Sequence, residues 1–226
     1  MDKRINIIVG HYGSGKTEFA LNYVLELKKK FSKVYIVDLD IVNPYFRTAD
    51  VKNMLMEQGI CVIASEYACT NVDIPALPPD IIRVFNEKDA AVVFDVGGDD
   101  DGAIALGRYK QYFEEEPYEM LFVINTFRPL TKTKEDIIDM MNAIEIVSRL
   151  KITGLVNNSN LAHLTGIDEL LSGQPAVDDA ALDTGKSVKY ISGLESVIAL
   201  LPDELKNKAF IINRFLKMPE SQNGGV

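Results

Sequence analysis

At 226 residues, 47% hydrophobic and 25% charged, the chain has the size and composition of one globular domain with room for a large core. No apolar run reaches the roughly 18 residues that a membrane-spanning helix requires, so no membrane span is expected. A formal charge of −9 sets the chain against polyanionic partners such as nucleic acid.

A short charged start runs directly into the first predicted strand, residues 5–10 (INIIVG), without a small-residue cleavage site. That is the pattern of a cytoplasmic protein with no signal peptide. GHYGSGKT follows, from Gly10 to Thr17, and residues 16–31 then show a helical pattern with Phe19, Tyr23, Val24, Leu27 and Phe31 near one face. Strand, glycine-rich loop, Gly-Lys-Thr and helix in that order form a phosphate cradle, the P-loop. Its glycines let successive N–H groups turn inward toward phosphate oxygens, and the helix N-terminus adds the positive end of its dipole. Lys16 brings a mobile charge to the terminal phosphates, and the Thr17 hydroxyl is a ligand for Mg2+. The nucleotide-binding stretch is therefore Gly10, His11, Tyr12, Gly13, Ser14, Gly15, Lys16, Thr17 and Glu18.

The second predicted strand, residues 33–38 (KVYIVD), leads into VDLDIVNPYFR. Asp38 and Asp40 are alternate residues, so an extended chain points both the same way. One can join a Mg2+ shell while the other orients an attacking water; a solvated acidic turn is the plainer alternative. Asn43-Pro44 is a turn signal and makes this segment a loop able to move. Residues 60–64 (ICVIA) form the third run. Cys61 and Cys69 have neither zinc nor redox spacing and read as two buried thiols.

The fourth run, residues 91–96 (AVVFDV), ends in Asp95, which begins a D-x-x-G sequence closed by Gly98. Asp95 suits a carboxylate that holds Mg2+ through water, and the Gly98 N–H suits contact with a γ-phosphate. Asp99, Asp100 and Asp101 read as a solvated loop, with water positioning by Asp99 as the alternative.

Further strands are predicted at 119–125, 152–157 and 188–192, and a helix at 134–150. Residues 174–186 read as irregular or a short helix, and 206–218 as a C-terminal helix docked on the sheet, with a membrane-surface helix as the alternative. Continuous apolar strands alternating with helices predict a three-layer α/β/α, doubly wound, mostly parallel sheet of about seven strands. One nucleotide-binding domain spans 1–218, followed by a flexible tail at 219–226.

Together, GHYGSGKTE, VDLDIVNPYFR and VVFDVGG resemble the deviant P-loop ATPases of the MinD, ParA and CobQ type, within the SIMIBI class of P-loop NTPases. The resemblance implies catalytic roles for Lys16 and Asp40, with Asp40 orienting the hydrolytic water, and a Mg2+ site of Thr17, Asp38 and Asp95. Neither Asn125-Thr126-Phe127-Arg128 nor Asn157-Asn158-Ser159-Asn160 matches the Asn-Lys-x-Asp of GTP-binding relatives. The resemblance instead implies that Asn157 reads adenine, with Ser192 to Leu194 flanking the base, and it favours ATP over GTP.

In that family a lysine and a glycine stand where this chain has His11 and Tyr12, and the lysine reaches across a dimer to the partner's phosphates. Histidine is shorter and, with a pKa near 6.5, mostly neutral at pH 7. A slow ATPase is the expected outcome, with Arg47 as the best substitute cation and Arg128 or a charged His11 as alternatives. The implied function is a Mg-dependent ATP-binding protein that switches a protein partner, binds ATP and ADP, and has the option of a nucleotide-dependent homodimer. The alternatives are an ATP-dependent small-molecule kinase or ligase using Tyr45, Arg47, Tyr67 and Arg108, a GTPase, or a nucleotide-binding module without turnover.

Overall fold

The seven apolar runs form strands, and those at the centre of the sheet are covered on both faces. β1 (Ile5–Val9) is wholly buried, with Ile5, Ile7 and Val9 in one hydrophobic layer and Ile8 in the other. A computed structural model describes residues 3–40, 49–64, 79–98 and 100–215. After β1 come α1 (Lys16–Lys28), β2 (Lys33–Leu39), α2 (Ala49–Glu57), β3 (Ile60–Ala64), α3 (Pro79–Asn86) and β4 (Ala90–Val96). They are followed by α4 (Asp100–Gly107), α5 (Lys110–Glu114), β5 (Tyr118–Ile124), α6 (Lys134–Ser148) and β6 (Gly154–Asn157). The remaining elements are α7 (Ile167–Ser172), α8 (Gln174–Thr184), β7 (Val188–Gly193), α9 (Glu195–Ile198) and β8 (Ala209–Ile211).

The strands form one sheet in the order β3-β2-β4-β1-β5-β6-β7-β8, with parallel pairings throughout. Apolar residues of α1 and α2 pack on one face; those of α3, α4, α6, α7, α8 and α9 pack on the other. This is the three-layer α/β/α fold expected of P-loop NTPases. The carboxyl ends of β1, β2 and β4 meet at one edge, where open α/β sheets bind ligands.

The sheet has eight strands among the described residues rather than about seven. The helix expected at 206–218 is replaced by a 3-10 turn, Asp203–Lys208, and then β8. Phe210 and Ile212 are buried while Ile211 between them is 44% exposed, which is strand periodicity. Phe210 enters an aromatic cluster with Phe19 at 4.7 Å and Tyr190 at 5.3 Å between ring centroids, and that packing outweighs the helical pattern. Residues 174–186, read as irregular or helical, contain α8, which ends in a left-handed Gly185 at φ 65°. The helix expected over 134–150 stops at Ser148 because Arg149 adopts φ 58°. Cys61 is exposed, correcting its reading as a buried thiol. Asn43, Pro44, Tyr45, Arg47, Tyr67, Cys69, Asp99 and the tail at 219–226 lie outside the described residues. Among the described residues no helix is long and apolar enough to cross a membrane.

Beyond β8, residues 213–215 are clipped to the helix that follows the phosphate loop. Asn22 Oδ1 accepts from Asn213 N at 2.8 Å, and Asn22 Nδ2 donates to Asn213 O at 2.9 Å. The Phe215 N–H donates to Glu18 Oε1. Asn22→Ala removes the side chain that holds both backbone groups of Asn213 and is expected to lower stability by about 1 kcal/mol, read from the urea midpoint at unchanged slope.

Candidate functional site

The loop from Gly10 to Gly15 is shaped by contacts that only glycine permits at two points. Gly13 and Gly15 have φ of 74° and 85°. A Cβ on Gly15 would collide with Asn158 Nδ2, the atom that donates to Ser14 O at 2.7 Å. Ser14 N closes the turn onto His11 O at 3.0 Å. Gly15 caps α1 without a side-chain hydrogen bond, which leaves the helix's first amide donors for a ligand. Ser14 Oγ is buried and has no hydrogen-bond partner among the described residues. A cradle of inward amides with an orphan hydroxyl fits a phosphate chain.

Strand register assembles the acids. β2 and β4 pair Asp38 with Asp95, and β1 pairs Ile8 with Asp95, so both carboxylates lie beside the loop that leaves β1. Asp38 Oδ1 accepts from Asp40 N at 2.9 Å, and Lys16 Nζ lies 3.4 Å from Asp40 Oδ2. All four of these side chains are buried. Burial pushes the Asp95 acid up to about 6; Lys16 and a hydrogen bond with Thr17 oppose that rise, and Asp40 adds to it. Asp95 Oδ1 has no hydrogen-bond partner among the described residues. No three acidic, histidine or thiol groups among the described residues converge to hold a metal by themselves. A hydroxyl, an orphan carboxylate oxygen and a second carboxylate fit Mg2+ whose remaining ligands are phosphate oxygens and water.

His11 and Tyr12 form the outer part of the loop. Tyr12 is 59% exposed. Burial, then Lys16, then Arg128 lower the His11 pKa, so the imidazole is neutral at pH 7. Gly98 packs against the His11–Tyr12 backbone so tightly that a Cβ there would come within 2.6 Å of Tyr12 N. A cavity of about 320 Å3 lies beside this contact, lined by Gly10, His11, Gly97, Gly98, Met140 and Ile144 among others. Glu18 Oε1 accepts from Phe215 N of the C-terminal segment.

The amide expected to read a base is committed elsewhere. Asn157 is fully buried; its Nδ2 donates to Leu170 O at 3.1 Å and Gln174 Oε1 at 2.8 Å, and its Oδ1 accepts from Ser159 N. It ties β6 to α7 and α8, so the adenine-reading role is corrected. Asn158, not singled out in the sequence, joins Ser14 O to Ser192 Oγ, the latter at 2.9 Å. Asn125, also passed over, accepts from Phe127 N and Asn160 N and donates to Asn160 O. The signal available was a set of asparagines at the ends of two adjacent apolar strands.

No family model and no curated protein matches the chain. Solved structures do match. Cell division protein FtsY from Thermotoga maritima is 16% identical, with a TM-score of 0.52, covering 84% of this chain and 61% of that one. Chloroplast FtsY from Physcomitrella patens is 16% identical, with a TM-score of 0.54 and 84% and 58% covered. Signal recognition particle receptor FtsY from Elizabethkingia anophelis, solved in complex with GDP, is 18% identical, with a TM-score of 0.50 and 84% and 57% covered. The chain thus spans about three fifths of the length of the structures it matches. At these identities the likeness establishes the fold, that of a P-loop NTPase.

The likeness to FtsY overturns the MinD/ParA/CobQ assignment. The ATPase activity, ATP as the nucleotide, ATP and ADP as ligands, and the nucleotide-dependent homodimer were drawn from that assignment and fall with it.

Proposed function

We propose that the chain is a Mg-dependent GTP-binding protein that hydrolyses GTP slowly and acts as a nucleotide-controlled switch on a protein partner. The observation that carries this reading is Lys16 poised 3.4 Å from Asp40 at the head of a glycine cradle, with Asp38 and Asp95 side by side at the next strand ends. The likeness to FtsY, one example of which holds GDP, supports guanine over adenine.

In this reading the amides of the glycine loop accept the phosphate chain, and Lys16 exchanges Asp40 for phosphate oxygens. Asp40, released from that ion pair, orients water in line with the bond that breaks between the terminal phosphoryl group and GDP. Thr17, Asp38 and Asp95 would hold Mg2+, which would supply positive charge to offset that of the phosphates. Gly98, resting on the His11–Tyr12 backbone, responds to the terminal phosphate, and the adjoining cavity gives its loop space to move without breaching the core.

Calorimetric titration with GTP, GDP and ATP in excess magnesium tests this. GTP is expected to bind at least about tenfold tighter than ATP, a difference of about 1.4 kcal/mol. Equal affinities or an ATP preference would refute the guanine assignment, and no binding by any of the three would refute the nucleotide site.

A further inference from the structure

The glycine loop carries a cation that its motif does not require. Arg128 Nε donates to Gly13 O at 3.0 Å, although the two residues are 115 positions apart. The guanidinium lies flat over Gly13, with Nε, Cζ and Nη2 at 2.9, 3.0 and 3.1 Å from where a Cβ would stand. Gly13 is therefore needed twice, for its positive φ and for the space the guanidinium fills. The terminal nitrogens of Arg128 have no hydrogen-bond partner among the described residues.

The turn that presents this exposed side chain is held from beneath by buried groups. Arg128 N donates to Asn125 O at 3.0 Å, Thr131 N donates to Arg128 O at 3.1 Å, and Thr131 Oγ1 donates to Asn125 O at 2.8 Å. Asn125 and Thr131 are both fully buried, and Pro129 restricts the backbone immediately after the arginine. A surface ion-pair residue needs no such support; a preorganised charge does.

Charge balance gives that cation a task. Lys16 lies 3.4 Å from Asp40 and its field acts on Asp95, so this lysine already faces buried carboxylates, and a magnesium–triphosphate brings further negative charge. His11, neutral at pH 7, contributes no compensating charge.

We propose that Arg128 is the second cation of the triphosphate site, supplied by the same chain: Nε stays on Gly13 O while the terminal nitrogens grip phosphate oxygens and stabilise the charge that grows as the terminal phosphoryl group departs. The proposal rests on the reading of the loop as a nucleoside-triphosphate site. Arginine suits this work because its fork binds the loop carbonyl and an oxyanion at once, which a lysine cannot do.

The test compares wild type, Arg128→Ala and Arg128→Lys for hydrolysis and for binding of GDP and a non-hydrolysable GTP analogue, with magnesium. Arg128→Ala is expected to lower kcat on the order of 100-fold and to weaken the triphosphate about tenfold more than the diphosphate. Arg128→Lys is expected to recover less than about a third of the lost rate, because it keeps the charge but not the fork. The His11 imidazole, followed by NMR without nucleotide, is expected to titrate at higher pH in Arg128→Ala. Equal weakening of di- and triphosphate with kcat unchanged would reduce Arg128 to a loop support and overturn the proposal, as would full activity in Arg128→Ala. Wild type that binds the analogue locates such a failure in Arg128 alone; wild type that binds neither ligand overturns the nucleotide reading and this inference with it.

Discussion

Lys16→Met is expected to abolish measurable nucleotide binding and, in the same protein without ligand, to lower stability by about 3 kcal/mol at pH 7.5. The first effect is the loss of the one ammonium at the head of the helix dipole, where terminal phosphates would sit. The second follows from burial. Lys16 is ion-paired with Asp40 at 3.4 Å, and its field holds the Asp95 acid down. Methionine matches the length of the stem but takes the ammonium away from two buried carboxylates, and breaking a buried pair in this way costs more than the pair contributes. The loss should shrink toward pH 5.5, because Asp95 then takes up a proton in place of the missing charge. Denaturant titrations at both pH values, with calorimetry for the nucleotide, measure both halves. An unchanged midpoint at pH 7.5 would mean that the carboxylates find their compensation elsewhere.

The parts of this site that depend on local pattern were legible in the sequence. INIIVG followed by GHYGSGKT specifies strand, cradle and helix because glycine conformations, the helix start and the lysine all lie within eight residues. Asp38 and Asp95 could be placed at strand ends because both strands are continuous apolar runs, and their pairing in register follows once β2 and β4 are neighbours. Contacts across long stretches of chain were not legible. Asn158 reaches Ser14 from 144 residues away and Arg128 reaches Gly13 from 115. Arg128 stood in the sequence only as an alternative to Arg47 for a missing charge, and nothing beside Asn158 marks its reach to the loop.

The errors have physical sources too. Asn157 was given the base because an amide both donates and accepts, but a buried strand end makes the same demand, and α7 and α8 meet it first. In the 206–218 segment the apolar residues suit a helix when counted alone. The aromatic pocket formed by Phe19, Tyr23 and Tyr190 selects alternate residues instead and draws Phe210 into a strand. The likeness to FtsY entered only through the fold, since three short motifs shared across a class do not separate its branches.

Asp95→Asn is expected to make the ligand-free protein more stable above pH 6 while it reduces magnesium-dependent hydrolysis on the order of 100-fold. Asp95 is an acid whose folded pKa, about 6, lies above its ordinary 3.8. The native state therefore binds this proton more tightly than the unfolded chain does. The stability that the protonated group contributes is complete below about pH 3.8 and is lost as pH rises through about 6. At about 1.4 kcal/mol for each pH unit of that gap, the loss is about 3 kcal/mol. Asparagine has no charge to bury, so the Asp95→Asn curve should lack this fall between pH 4 and 6.5. Saturating magnesium and nucleotide should flatten the fall in wild type, because a divalent cation beside Asp95 favours its charged form. Urea titrations across that range, with and without ligand, separate the two contributions. A wild-type curve with no fall, or one that magnesium and nucleotide leave unaltered, would show that Asp95 is not the carboxylate held ready for the metal.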